Sequence, residues 1–124
     1  MALKYDVSRE RKLITVTAKG VYSREDVDKF QLKLLADNRI VSGMSILVDA
    51  NGAKPHLNFS DLQEVAKPLQ QMFEKGIERM ALVADSTFVY SIGKTFSVFA
   101  ERLPVKVKAF RDVSEAVAWL KSAA

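Results

Sequence analysis

Two short runs constrain the fold most. Ser45-Ile46-Leu47-Val48-Asp49 and Arg79-Met80-Ala81-Leu82-Val83-Ala84 carry apolar residues at consecutive positions, Ile46 to Val48 and Met80 to Ala84, and are no longer than a strand. A strand with one wet face alternates apolar and polar residues, whereas one that is apolar throughout is covered on both faces, as in parallel sheets. Parallel strands need crossovers of a dozen residues or more, usually helical. These two runs therefore predict an α/β fold.

The flanking segments supply the rest. Lys4–Val7 and Leu13–Ala18 read as two strands, and the second places Ile14, Val16 and Ala18 on one apolar face. The polar link Ser8–Lys12 makes them an antiparallel hairpin. Gly20 ends the second strand. Ser23 caps a helix over 24–37, with Asp26 in capping-box position and Val27, Phe30, Leu34 and Leu35 at helical spacing. Residues 50–59 read as a loop. A second helix starts at Ser60 as N-cap, with Asp61 in its first turn and Gln63 completing a capping box. Its stripe is Leu62, Val65, Ala66, Leu69, Met72 and Phe73, it is kinked or split at Pro68, and Gly76 closes it. Asp85 or Ser86 caps a third helix over roughly 87–102, stopped by Pro104. Val105–Phe110 alternates and belongs near a sheet edge. Asp112 caps the last helix, whose core face is Val113, Ala116, Val117 and Leu120.

The order is β-β-α-β-α-β-α-β-α. This predicts a mixed, mostly parallel sheet with an N-terminal β-hairpin and four helices. No linker or shift in composition interrupts it, so residues 1–124 read as one domain. The 124 residues suffice for one core, and 48% hydrophobic with 27% charged residues exclude whole-chain disorder.

Composition also removes function classes. There is no Cys and one His, which excludes a disulfide framework, a thiolate nucleophile and a His-rich metal site. The net charge of +4 is spread along the chain, with acidic neighbours, rather than gathered into a nucleic-acid footprint. No segment has the length of a signal peptide core or a bilayer span, so the expectation is a cytoplasmic protein without a transmembrane segment. Gly93-Lys94-Thr95 is not a phosphate loop, because Phe88 stands where that motif needs its first Gly.

The element order resembles the STAS domain, and more closely the bacterial SpoIIAA-like family, also described as STAS/SEC14-like. The resemblance is carried by Tyr5-Asp6-Val7, Leu13-Ile14-Thr15-Val16, Gly20, Ile46-Leu47-Val48-Asp49, Phe59-Ser60 and Phe110-Arg111-Asp112 with Glu115 to Leu120. It implies a non-enzymatic interaction or regulatory module, switched in SpoIIAA-type domains by phosphorylation of a Ser at a helix N-terminus. That Ser normally lies in an Asp-Ser-Ser/Thr-Gly-like stretch. Here the corresponding residues are Phe59-Ser60-Asp61-Leu62, which departs from that pattern. The SEC14 comparison implies instead an apolar ligand beneath a mobile helix.

Four sets of residues stand out. Ser60 is either a phosphoacceptor or a plain helix cap. Asp49 ends a buried strand at its carboxyl edge, where open α/β sheets place ligands, and is otherwise a strand terminus bonding loop amides. His56 is the one imidazole, and catalysis with it needs a partner such as Asp49 or Ser60. The third helix is apolar on more than one face: Phe88, Ile92, Phe96, Phe99 and Leu103 form a stripe, with Val89, Tyr90 and Val98 outside it. Its second face is absorbed by the core, or meets a second copy of the chain, an apolar ligand or a membrane surface. Met72, Phe73, Phe88, Ile92, Phe96 and Phe99 are then the pocket or the dimer interface. The leading expectation is a homodimeric, non-enzymatic interaction module with an unidentified protein partner. The alternative is a carrier of a small apolar or lipid-like ligand, and the third is an enzyme using Asp49, His56 or Ser60. None calls for a cofactor, metal or nucleic acid.

Overall fold

The computed structural model describes residues 2–122. Its strands are β1 (Leu3–Ser8), β2 (Leu13–Ala18), β3 (Gly20–Ser23), β4 (Ser45–Asp49), β5 (Ala53–His56), β6 (Arg79–Val83) and β7 (Lys106–Phe110). Its helices are α1 (Arg24–Leu35), α2 (Phe59–Ala66), α3 (Leu69–Glu74), α4 (Thr87–Phe99) and α5 (Val113–Lys121).

The expected hairpin forms: β1 pairs antiparallel with β2, Tyr5 opposite Val16. β2, β4, β6 and β7 then run parallel, in the order β1-β2-β4-β6-β7. Spatial order follows chain order, so right-handed crossovers place α1, α2–α3 and α4 on one face. The burial agrees. Ile14, Ile46 and Met80 form one rung of the sheet and pack with Leu34, Leu69 and Met72 from those helices. The opposite face is covered by α5, whose Ala116 and Leu120 pack on Leu47, Ala81 and Val83. β4 and β6 thus have both faces covered, which is why they read as continuously apolar. β7 is one of the two edge strands, with β1 the other, and its alternation reflects that.

Helix starts follow local chemistry. Ser23 and Asp26 form the expected capping box on α1. Ser86 caps α4, and Asp112 caps α5. Pro68 has no N–H to donate, and the predicted second helix is split there into α2 and α3. Lys75 closes α3, and its ammonium donates to the carbonyls of Leu35 and Asp37 at the end of α1.

Three expectations are corrected. The cap of α2 is Asn58 rather than Ser60: the Asn58 side chain accepts from the Asp61 N–H at 2.8 Å, and the Asp61 carboxylate accepts from the Asn58 N–H at 2.9 Å. Asp61 sits at the third helical position, so it completes the box two residues before the register that Ser60 and Gln63 would set. Residues 50–59 are not all loop, because β5 pairs in parallel with β3 in a separate two-stranded sheet. The first and third predicted helices are shorter than expected, ending at Leu35 and Phe99.

Candidate functional site

A cavity of ≈ 150 Å³ lies between the sheet and the helical layer. Its floor is the rung Val16–Val48–Leu82–Ala109 with Ile46 and Met80. Its walls are Val27, Phe30 and Leu34 of α1, Leu62 and Val65 of α2, and Val89, Ile92 and Phe96 of α4. The space exists because small residues stand where elements converge: Ala18, Ala50, Ala84, Gly93 and Ala109 all line it. Gly93 turns its bare backbone towards the floor, where an added Cβ would lie 3.6 Å from Ala109 Cβ and 3.7 Å from Leu82.

Half-buried residues occur all around the lining, among them Tyr22, Val27, Val48, Leu57, Leu82 and Tyr90. Ala50 follows β4, Tyr90 lies in the first turn of α4 after β6, and Tyr22 and Leu57 belong to or follow the β3–β5 ribbon. The lining thus reaches the carboxyl ends of the parallel strands, where α/β sheets place ligands. The strand order has no reversal among β2, β4, β6 and β7, so the space forms under the helices rather than at a switch-point crevice.

The lining carries no charged residue. Its polar groups are the tyrosines and Gln31, which is 9% exposed. The Gln31 Nε2 donates to the Val65 carbonyl at 2.9 Å. Because that partner accepts only, the amide orientation is set, and Gln31 Oε1 is the buried atom without a hydrogen-bond partner among the described residues. Burial pushes the Tyr22 phenol above its ordinary pKa, so it stays neutral through the physiological range.

The cavity takes in Met72, Ile92 and Phe96 and leaves Phe73, Phe88 and Phe99 outside its lining. The reason is the rotation of α4. Val89 and Ala100 are the buried positions and Gly93 lies between them, so Phe88, 66% exposed, points away from the sheet. Phe99 instead stacks edge-on against Phe59, ring centroids 4.8 Å apart, joining α4 to α2.

The polar candidates lie elsewhere. The Asp49 carboxylate accepts from the Asn51 N–H at 3.0 Å, and Asn51 Oδ1 accepts from the Asp85 N–H at 2.8 Å, which ties the loops after β4 and β6 together. Ser60 is exposed at the second position of α2. His56 ends β5, exposed and opposite Ser23. No hydrogen bond joins Asp49, His56 and Ser60 among the described residues, and no group of three or more His, Asp or Glu could hold a metal there.

Sequence reasoning missed Gln31. The signal was present: Val27, Phe30, Gln31 and Leu34 share one helical stripe, and Gln31 is the polar member of it.

A hairpin feeding a parallel sheet, with three crossovers on one face and one terminal helix on the other, is the STAS type of α/β fold. The chain belongs to the SpoIIAA-like family, whose sequence profile matches residues 13–121. A solved structure with the same fold is that of an uncharacterised protein of the DUF3478 family from Shewanella loihica PV-4, described as SpoIIAA-like. It shares 20% identity at a TM-score of 0.60, over 96% of this chain and 92% of that one. No curated protein matches the chain. No helix among the described residues is long and apolar enough to cross a membrane.

Proposed function

We propose that this SpoIIAA-like chain is a non-enzymatic binding module whose cavity beneath α4 takes a small apolar molecule. The observation that carries the reading is the uncharged, mostly apolar lining of the ≈ 150 Å³ cavity between the sheet and its helices. An apolar cavity of this volume is the size that holds benzene, so the ligand is a single-ring molecule rather than a long-chain lipid. Its driving force is apolar surface removed from water, about 25 cal/mol per Å². The test is calorimetric titration with benzene. Saturable binding with 1:1 stoichiometry, reduced in Gly93→Leu, supports the reading. No heat and no thermal stabilisation at millimolar benzene overturns it.

A second reading concerns the outer surface. Phe88, Phe59 and Val98 on α4 and α2 are 66%, 63% and 57% exposed, the kind of apolar surface that meets a partner. Pairing of two copies through these helices fits that exposure. Sedimentation of the wild type and of Phe88→Glu decides it: a dimer that the variant dissociates supports pairing, and a monomer at every concentration removes it.

A further inference from the structure

We propose that a basic groove at the amino ends of the parallel strands binds a small organic phosphate monoester, with Lys12 reaching the phosphate and α5 carrying the apolar body. The site is separate from the cavity beneath α4 and does not rest on the reading built on that cavity.

The groove lies where the β1–β2 turn, the turn before β4 and the last turns of α5 meet, and its volume is ≈ 340 Å³. Leu13 and Ser45, which begin β2 and β4, both line it. So do three cations, Arg11, Lys12 and Lys121, and no acid among the described residues. Lys121 comes from the far end of the chain, so this gathering of charge exists only in the fold. None of the three pairs with a carboxylate among the described residues. Glu10, in the same turn as Arg11, is not part of the lining.

Lys12 is the residue that most needs explaining. Its φ is +52°, in the left-handed region that glycine adopts freely and lysine does not. Its ammonium lies over Gly43, where an added Cβ would be 3.6 Å from Lys12 Nζ. The turn backbone alone favours glycine at position 12, and the bare backbone at Gly43 leaves space for the lysine instead. Strain of this kind collects at functional sites.

The lining sets the chemistry. Three unpaired cations favour a dianion over a monoanion, which selects a phosphate monoester over a carboxylate. Beside them Leu13, Val117 and Leu120 give the groove an apolar wall, which favours a ligand with a hydrocarbon body. An apolar cavity of about 150 Å³ holds benzene, so the larger groove has room for a ring and a phosphate together.

The probe is phenyl phosphate, titrated calorimetrically at about 0.15 M salt. The expected result is saturable 1:1 binding. Benzoate lacks the second charge and inorganic phosphate lacks the ring, so each should bind at least about tenfold more weakly. Methyl resonances of Leu13, Val117 and Leu120 should shift, and those of Val48 and Leu82 should not. Lys12→Gly should weaken binding at least about tenfold. The same variant should raise the melting temperature of the unliganded protein, because it relieves the left-handed strain. A purely structural Lys12 would move stability and leave affinity alone. Lys121→Glu, at an exposed position, should also weaken binding, and it decides alone if Lys12→Gly does not fold. No saturable binding at millimolar phenyl phosphate overturns the proposal. So do equal affinities for the three probes, shifts confined to the cavity beneath α4, or an affinity that both variants leave unchanged.

Discussion

The Gln31 side-chain amide donates to the Val65 carbonyl at 2.9 Å, so the final turn of α2 takes a donor from α1. The cause lies in the sequence: α2 stops at Ala66, and Pro68 has no N–H to offer the carbonyls before it. One residue thus joins two helices and serves the helix break. Gln31→Ala removes the bond, strands the Val65 carbonyl and enlarges the cavity, and its expected cost is about 2–4 kcal/mol. Gln31→Leu also strands the carbonyl but eliminates the unpartnered oxygen and keeps the volume, so about 1 kcal/mol is expected. Urea unfolding of both variants checks the difference, and equal costs would contradict the assigned role.

Gly93 brings the α4 backbone close to the cavity floor. The added methyl of Gly93→Ala meets Ala109 and Leu82 at ordinary van der Waals distance. The substitution is expected to stabilise the protein by about 1 kcal/mol through helix propensity alone. It also narrows the cavity, so benzene should raise the melting temperature of the variant less than that of the wild type. Thermal melts with and without benzene measure both effects.

Gly76 has the opposite character. It holds φ +100°, and a Cβ there would lie 2.3 Å from the Ser42 Cα. Its carbonyl accepts from the Gly43 N–H at 2.9 Å, which locks the turn after α3 against the turn before β4. Neither backbone can yield without losing that contact. Gly76→Ala is expected to destabilise by about 3 kcal/mol, combining left-handed strain with overpacking. A cost below about 1 kcal/mol in chemical denaturation would contradict the packing described.

Acid stability should report on Asp37. Its carboxylate is held well below the usual range, first by the Arg39 guanidinium and then by the Tyr5 hydroxyl, which donates at 2.7 Å. A depressed carboxyl contributes stability above its ordinary value of 3.8 and loses that contribution as pH falls towards the folded value. The wild type should therefore lose thermal stability between about pH 4 and pH 2. Asp37→Asn should be less stable at pH 7 and show a shallower decline over that window. Parallel declines for the two proteins would remove Asp37 as a source of the effect.

Legibility from sequence followed how local each cause is. Ser45–Asp49 and Arg79–Ala84 declared a parallel sheet because continuous burial leaves a mark on consecutive residues. Ser23 with Asp26, Ser86 and Asp112 declared helix starts because capping is a contact within three residues. Asn58 was passed over because Ser60 also fits a cap, and only the carboxylate of Asp61 decides between them. The β3–β5 ribbon left little trace: its strands are four residues each, and they contain Gly20 and Pro55. The apolar surplus of α4 was visible, but its rotation was not, since Val89 and Phe88 are equally apolar and the sheet selects between them. The cavity depends on small residues from separate elements meeting, as Ala18, Ala84 and Gly93 do, and no window of sequence contains that meeting.

The central claim is that the space between Val48, Leu82 and Phe96 receives a small apolar molecule. Titrating benzene into isotopically labelled protein while following side-chain methyl resonances tests it most directly. Saturable shifts confined to lining residues such as Val16, Val48, Leu82 and Ile92, with α5 methyls such as Val117 unmoved, are the predicted result. Unshifted lining methyls at benzene saturation, or shifts confined to the exposed Val98 and Val113, would contradict it.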